Sequence, residues 1–427
     1  MDYLRRTIDS ELDELMPFAA AIALDGPKGV GKTGTAARRA AHTVRLDRPG
    51  ERTVISNDFD LDTLPQGTIL FDEWQHLPQV WDSVRRSVDD GAPPGRFLLT
   101  GSATPVDAAG THSGAGRILS LRMRPMGFHE RRLSTPTVKF SDLMYGQGGS
   151  VDEPRFETLA EIDGSTDVAV GDYAEAIAAS GFPGIMAAPR RLRDGQLDAY
   201  LQRVIDRDLP ERDAGVRSPE TLRRWLAAYG AASSTTASYS SILDATTGGD
   251  GYQPSKPTTI RYRDHLSQLW LLDPVPGWTS FRNPMKRIAQ APKHQLADPA
   301  LALRLLNLSG GDLLTGLGAH MFGPLFESLA TLGVRTLAQA CEARVFHLRT
   351  QNGDHEVDLV VEGQRGALVG IEVKLSGAID DRDVRHLHWF KGQMKGKVTD
   401  LAVLSSGRHA YRRSDGIAVI PLALLGL

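Results

Sequence analysis

The segment Gly26–Thr33 has the sequence GPKGVGKT and follows the pattern GxxxxGK[ST]. It lies between the apolar segment Ala19–Leu24, which predicts a buried strand, and the segment Thr35–Val44, which predicts a helix. Strand, glycine-rich loop and helix in this order turn backbone N–H groups toward a polyphosphate. The sequence therefore predicts a phosphate-binding loop that consists of Gly26, Pro27, Lys28, Gly29, Val30, Gly31, Lys32 and Thr33.

A second apolar strand, Thr68–Phe71, ends in the carboxylates Asp72 and Glu73. This segment resembles the Walker B element of P-loop NTPases. The resemblance implies ATP and Mg²⁺ as cofactors, with the ion held by Thr33 and, through water, by Asp72. We expect Lys32 to contact the β and γ phosphates. Glu73 is predicted to activate the attacking water, which favours hydrolysis over a small-molecule kinase.

Two further side chains are predicted near the nucleotide. A third strand, Arg96–Ala103, places Thr100 or Ser102 where the sensor residue of AAA-type ATPases contacts the γ phosphate or the attacking water; an ordinary polar strand end is the alternative. Arg117 is predicted to contact the γ phosphate of its own chain or of a neighbouring copy, and a plain surface arginine is equally consistent with the sequence.

Composition limits the class of protein. A chain of 427 residues predicts two or three domains. The formal charge of −3 excludes a globally basic nucleic-acid binder, although 49 Lys and Arg residues leave room for a local basic face. The single cysteine, Cys341, excludes an intramolecular disulfide. With no signal peptide and no long apolar run, we expect a cytoplasmic protein that does not enter the membrane.

The order of strands and helices predicts an α/β protein with three parts. Residues 1–195 alternate strands and helices, as in a P-loop AAA-type domain with a parallel sheet; the predicted strands include Thr53–Ile55 and Ile118–Leu121. Residues 196–288 predict a helical linker with a winged-helix-like segment, in which Lys256, Arg261 and Arg263 form a basic face for DNA. A solvated helical linker is the alternative. Residues 289–427 form the third part.

The third part carries a different chemistry. Phe346–Thr350, Glu356–Val361 and Leu368–Leu375 predict an antiparallel meander, followed by a helix at 381–391 and a strand at 401–405. Side chains alternate along a strand, so Glu372 and Lys374 point to one face, where Asp358 of the adjoining strand joins them. Two carboxylates that hold a metal and one ammonium that activates water would suit a metal-dependent phosphodiesterase.

This arrangement resembles the PD-(D/E)xK nuclease superfamily, with its α/β/α restriction-endonuclease-like fold. Asp358, Glu372 and Lys374 fall on the motif positions as catalytic residues, with Asp358 and Glu372 as metal ligands. Glu327, in the helical segment 325–340, matches the helical acid of that superfamily. Three interpretations stay open: an active nuclease, a nuclease-like fold that binds without cleavage, and an unrelated sheet with solvated charges.

Almost the whole chain resembles a family of prokaryotic ATPases that join an AAA-type domain to a nuclease-like domain. The resemblance rests on GPKGVGKT at 26–33, LFDEWQHLP at 70–78, RFLLTGSA at 96–103, GAGRI at 114–118, GFPGI at 181–185, EVDLVVE at 356–362 and IEVK at 371–374. It implies an ATPase whose turnover is coupled to a domain that acts on DNA. The alternative is a nucleotide-controlled scaffold or signalling protein that binds a protein partner, and a homo-oligomer is possible in either case.

Overall fold

The structure is a computed structural model of the chain. It describes residues 3–102, 116–208, 219–246, 254–278, 291–350, 353–394 and 396–427. Contacts within the chain define two compact units. Unit 1 comprises Met1–Pro125, Phe182–Gly184 and Leu266–Leu271, and unit 2 comprises Met126–Gly181, Ile185–His265 and Leu272–Leu427. The domain boundaries placed at residues 195 and 288 from the sequence stay predictions.

Unit 1 contains a five-stranded sheet in which every pair of neighbouring strands is parallel. The order across the sheet is β2-β3-β4-β1-β5, so β4 lies between β1 and β3. In chain order the elements are α1 Thr7–Leu15, β1 Ala21–Asp25, α2 Lys32–Ala37, β2 His42–Arg45, α3 Pro49–Ser56, β3 Ile69–Asp72, α4 Gln79–Asp89, β4 Phe97–Gly101 and β5 Ile118–Arg122.

The three central strands of this sheet are buried along their whole length, as expected for a parallel sheet covered on both faces. Their side chains pack with α4 and the preceding turn, where the rings of Trp74 and Trp81 lie 4.9 Å apart. The parallel α/β class predicted for the N-terminal region is confirmed, and so is the predicted strand at Ile118–Leu121.

Two predictions for unit 1 are wrong. The β-branched run Thr53–Ile55 lies in helix α3, which begins with Pro49 at its first turn and carries Glu51 there. The remaining strand of the sheet is β2, His42–Arg45, which overlaps the end of the segment Thr35–Val44 predicted as a helix. Strand β2 is at the sheet edge and is largely exposed, so its sequence lacks the apolar run that marks the buried strands.

Unit 2 contains most of the helices and a second sheet. Its elements begin with β6 Val138–Lys139, α5 Phe140–Tyr145, β7 Gly164–Ser165, α6 Val170–Ala179, α7 Pro183–Met186, α8 Arg190–Arg203, α9 Pro219–Ala231, α10 Tyr239–Ala245 and α11 Lys256–Gln268. They continue with α12 Pro299–Leu305, α13 Gly310–Leu314, α14 Ala319–Ala340, β8 Arg344–Arg349, β9 Glu356–Glu362, β10 Leu368–Lys374, α15 Asp381–Met394, β11 Val398–Ser405, β12 His409–Arg412, β13 Ala418–Pro421 and β14 Leu425–Gly426. Two of these helices, α7 and α11, also include residues of unit 1.

The second sheet has seven strands in the order β7-β12-β13-β11-β10-β9-β8. Strands β8, β9 and β10 pair antiparallel, whereas β11 joins β10 in parallel after the crossover helix α15. The predicted meander, helix and fourth strand are therefore confirmed, and helix α14 precedes them. The restriction-endonuclease-like fold itself stays a prediction.

A short ribbon follows the three helices α9, α10 and α11. Leu272 and Val275 pair antiparallel with Leu296 and Lys293 as isolated bridges. Gly277 pairs with His347 of β8. This ribbon, residues 272–277 with 293–296, brings the side chain of Lys293 to the second sheet.

Candidate functional site

The phosphate loop, Gly26–Thr33, leaves the carboxyl end of β1 with a backbone that only glycine suits. Gly26 has φ +153° and Gly31 has φ +101°. A Cβ atom at Gly26 would lie 2.1 Å from the carbonyl oxygen of Met123, so a larger residue cannot fit without moving the chain. The glycines of the motif therefore fix the path of the loop at the edge of the sheet.

The side chain of Lys32 lies inside this loop. Its ammonium donates to the carbonyl oxygens of Gly26 at 2.7 Å and Pro27 at 2.9 Å. Burial lowers the pKa of Lys32 to about 8, against the opposite effect of the negative charges of Glu73, Asp25 and Asp72. The ammonium is thus held by neutral acceptors in a site where an anion would stabilise its charge.

Asp72, the last residue of β3, accepts hydrogen bonds from two hydroxyl groups of neighbouring elements. Thr33 and Thr100 both donate to its Oδ1 atom, at 2.7 and 2.6 Å. The contact to Thr100 follows from the position of β4 beside β3, since Asp72 and Thr100 are paired in register. The structure therefore brings together three of the residues predicted from separate motifs.

Glu73 follows Asp72 in a left-handed backbone conformation, with φ 54° and ψ 48°. A non-glycine residue in this region carries strain of about 1–3 kcal/mol, which is frequent at functional sites. The amide of Gln75 donates to the Glu73 carboxylate and lies 3.4 Å from Ser102 Oγ. The Glu73 carboxylate is thus held by a neutral donor from the turn after β3.

Sequence reasoning missed two side chains beside the loop. Arg6 is buried and donates to the carbonyl oxygens of Val30 at 2.9 Å and Arg124 at 2.8 Å, which ties α1 to the phosphate loop. Burial raises the pKa of Asp25 to about 6, although Ser120, Lys32 and Arg122 act in the opposite direction. Asp25 directly precedes the loop and is visible in the sequence, whereas no local pattern marks Arg6.

Arg117 lies at the amino end of the parallel strands, opposite the end that carries the phosphate loop. Strand β5 pairs with β1 so that Ile118 faces Ala21 and Arg122 faces Asp25. Arg117 therefore precedes the amino end of β5, about 17 Å along the strand from the level of Asp25, where the phosphate loop begins. Its Nε donates to Asp89 at 2.8 Å. This position does not support a γ-phosphate contact within the same chain; a contact to a neighbouring copy stays a prediction.

A second group of charged residues lies on the meander of unit 2. Asp358 is on β9 and accepts a hydrogen bond from the backbone N–H of Val373 at 2.9 Å. On β10, the ammonium of Lys374 donates to Glu372 Oε2 at 2.9 Å. The structure therefore brings the three predicted residues Asp358, Glu372 and Lys374 to one place in the sheet.

The same group contains Lys293, which the sequence analysis did not assign. Its Nζ atom lies 2.8 Å from Glu327 Oε1 on α14, 3.0 Å from Asp358 Oδ1 and 3.5 Å from Glu356 Oε1. Only 1% of the Lys293 side chain is exposed. We call Lys293, Glu327, Glu356, Asp358, Glu372 and Lys374 the acid cluster.

Burial and mutual charge set the protonation of the acid cluster. Burial and the charge of Asp358 raise the pKa of Glu327 to about 8 despite Lys293. Burial also raises the pKa of Glu372, with Asp358 adding to the effect. At Asp358 burial acts in the same direction, but Lys293 and Lys374 outweigh it and hold the pKa below its usual value. The two ammonium groups therefore favour the ionised form of Asp358.

The basic side chains predicted to contact DNA lie on α11. Lys256 and Arg261 are exposed. The guanidinium of Arg263 pairs with Asp264 at 3.0 Å and lies 5.2 Å from the ring centre of Tyr239. Arg263 is thus engaged by its neighbours within the chain, as the helical-linker alternative predicts.

Comparison with family models assigns the N-terminal region. Residues 19–131 match the model of an AAA domain. The N-terminal region is therefore similar to AAA domains. The matched range contains the phosphate loop, Asp72 and Glu73, and all five strands of the parallel sheet of unit 1. The match supports the ATPase part of the family resemblance.

The rest of the chain is similar to regions without an assigned role. Residues 170–312 match the domain of unknown function DUF8612, and residues 322–425 match the domain of unknown function DUF4143. The uncharacterized proteins Mb2031c of Mycobacterium bovis and Rv2008c of Mycobacterium tuberculosis are each 26% identical over 98% of this chain and 83% of their own length. These matches do not test the nuclease-like interpretation.

A solved structure is also similar to this chain. The Walker-type ATPase paby2304 of Pyrococcus abyssi is 14% identical, with a TM-score of 0.37 over 71% of this chain and 96% of that one. In the described part of the chain, no helix has both the length and the apolar composition of a membrane span. The cytoplasmic location stays a prediction.

Proposed function

We propose that the P-loop ATPase domain binds ATP with Mg²⁺ and hydrolyses it. The observation that carries this proposal is the convergence of Lys32, Thr33, Asp72 and Glu73 at one edge of the sheet. These residues come from two separate segments of the chain, the phosphate loop and the end of β3. A cation for the phosphates, oxygen ligands for a hard metal and a carboxylate that can accept a proton from water are the groups that phosphoryl transfer to water requires.

The residues beside the loop fit a magnesium ion. The Thr33 hydroxyl and the Asp72 carboxylate already touch at 2.7 Å, so both oxygens can face one small cation. When bound, magnesium would neutralise charge on the β and γ phosphates. Thr100 donates to the same Asp72 oxygen and fixes the orientation of the carboxylate.

Lys32 and Glu73 have separate roles in this proposal. Lys32 would exchange the carbonyl oxygens of Gly26 and Pro27 for phosphate oxygens, since a charged acceptor binds an ammonium more strongly than a neutral one. Glu73 would accept a proton from the attacking water. Gln75 donates to the Glu73 carboxylate and keeps it in position.

The test compares Lys32→Ala with Glu73→Gln. Lys32→Ala should sharply weaken nucleotide binding. Glu73→Gln should keep binding and lower turnover by about 10²–10⁴-fold, because the geometry survives and the base does not. Glu14→Gln, an exposed acid of α1, is the matched control and should leave both unchanged. Equal turnover of the wild type and Glu73→Gln would overturn the role of Glu73.

We further propose that residues 319–405 have a nuclease-like fold whose engagement of a partner depends on the nucleotide. The order of helix α14, three antiparallel strands, helix α15 and a parallel strand supports this, as does the meeting of Asp358, Glu372 and Lys374. DNA is the proposed partner because Lys256 and Arg261 offer exposed positive charge on α11. A protein partner is the alternative. DNA binding with and without ATP, measured by fluorescence anisotropy, distinguishes them.

A further inference from the structure

The acid cluster of unit 2 already contains a buried cation. The ammonium of Lys293 contacts Glu327 at 2.8 Å and Asp358 at 3.0 Å, with Glu356 at 3.5 Å. These three carboxylates come from α14 and β9, while Lys293 comes from the ribbon that follows α11. The ammonium of Lys293 therefore lies between carboxylates of two different elements and contacts both.

A divalent ion would need the oxygens that Lys293 occupies. Magnesium bonds to oxygen at about 2.0–2.1 Å and keeps a near-octahedral shell, so it cannot share the space between Glu327 and Asp358 with an ammonium. The second oxygen of Asp358 accepts from the backbone N–H of Val373. The Lys293 side chain is 1% exposed, so its ammonium is buried together with the carboxyl groups that it contacts.

Glu372, the other predicted metal ligand, is paired with a different lysine. Glu372 Oε2 binds the ammonium of Lys374 at 2.9 Å. Glu372 Oε1 is buried with no hydrogen-bond partner among the described residues, whereas both oxygens of Asp358 and the Oε2 atom of Glu372 are already engaged. In the described ranges, no three Asp, Glu, His or Cys side chains are arranged to hold a metal ion. The residues present do not fit the metal that a nuclease of this type requires.

We propose that the Lys293 ammonium replaces the metal ion in the acid cluster, so that unit 2 binds its partner without metal-dependent cleavage. This inference rests on the proposed nuclease-like fold and is independent of the proposed ATPase activity. It assigns Lys293 a positioning role: the ammonium holds the ribbon against α14 and β9. Of the interpretations that the sequence left open, it selects binding without cleavage.

The test measures Mn²⁺ binding to the full chain without nucleotide, by electron paramagnetic resonance of free Mn²⁺. An Asp72→Asn background removes the ligand at the nucleotide site. We expect this parent protein to bind no Mn²⁺ and the added change Lys293→Ala to create a site for about one ion, because it frees the oxygens of Glu327 and Asp358. Lys391→Ala, an exposed lysine of α15, is the matched control and should create none.

Two results would overturn the proposal. One is a Mn²⁺ ion bound by the parent protein and lost on Glu372→Gln. The other is a folded Lys293→Ala variant that binds no Mn²⁺. If Lys293→Ala fails to fold, the titration of the parent decides alone: no bound ion supports the proposal and one bound ion, lost on Glu372→Gln, contradicts it. ATP turnover measured on the same Lys293 variant, without the Asp72 change, reports separately on the proposed ATPase.

Discussion

The two units hold a buried lysine in two different ways. In unit 1 the ammonium of Lys32 rests on two neutral carbonyl oxygens of the loop. In unit 2 the ammonium of Lys293 rests between the carboxyl groups of Glu327 and Asp358. An anion can replace a neutral carbonyl oxygen as the partner of an ammonium, because the charged acceptor binds more strongly. It does not gain in this way over a carboxylate that is already bound. The first lysine is therefore ready to bind phosphate, and the second neutralises its own site.

The largest expected effect is a difference in the free energy of unfolding between the variants Lys293→Ala and Lys32→Ala. Lys293→Ala should lower the free energy of unfolding by about 3–5 kcal/mol, since it leaves buried carboxylates without their cation. Lys32→Ala removes a buried charge held by neutral partners and should cost at most about 1 kcal/mol. Urea unfolding without nucleotide measures both. Equal losses for the two variants would contradict the comparison.

A second prediction separates the two polar residues at the end of β4. Thr100→Val removes a hydrogen bond to the charged Asp72 and should lower ATP turnover about tenfold. Ser102→Ala removes only a 3.4 Å contact with Gln75 and should change turnover much less. Steady-state ATPase rates decide between them. A larger loss for Ser102→Ala would transfer the predicted sensor role to that residue.

The third prediction concerns pH. The pKa of Lys32 is about 8 in the folded chain against an ordinary 10.5. Between these values the unfolded chain binds more protons, so the stability of the nucleotide-free protein should rise as pH increases from 8 to 10.5. Phosphate favours the charged form, so nucleotide binding at pH 8 should take up about half a proton. Calorimetry in buffers of different ionisation enthalpy measures this uptake, and Lys32→Met should abolish it.

The smallest expected effect tests the basic face of α11. Arg261→Ala should weaken DNA binding on all sequences and reduce the slope of log affinity against log salt by about one unit. Arg263→Ala should change the slope less, because Arg263 pairs with Asp264 within the chain. Anisotropy titrations at several salt concentrations measure both slopes. An unchanged slope for Arg261→Ala would contradict a phosphate contact at this residue and would favour the helical-linker alternative.

The features that the sequence predicts correctly are those with a local pattern. The loop at 26–33, the acids after β3 and the alternation that puts Glu372 and Lys374 together can each be identified within a few consecutive residues. Strand β2 and helix α3 were not predicted, because an exposed edge strand lacks an apolar run and Pro49 outweighs the β-branched residues after it. Lys293 and Arg6 were missed because their partners are distant in sequence. Lys293 is 65 residues from Asp358, and Arg6 is 118 residues from Arg124.

Of the two acid-containing sites, we propose that only the nucleotide site accepts a metal. The number of Mn²⁺ ions bound per chain in the presence of a non-hydrolysable ATP analogue measures this. We expect one ion, which is lost on Asp72→Asn and retained on Asp358→Asn. Two ions per chain, one of them lost on Asp358→Asn, would show that the acid cluster binds a metal despite Lys293.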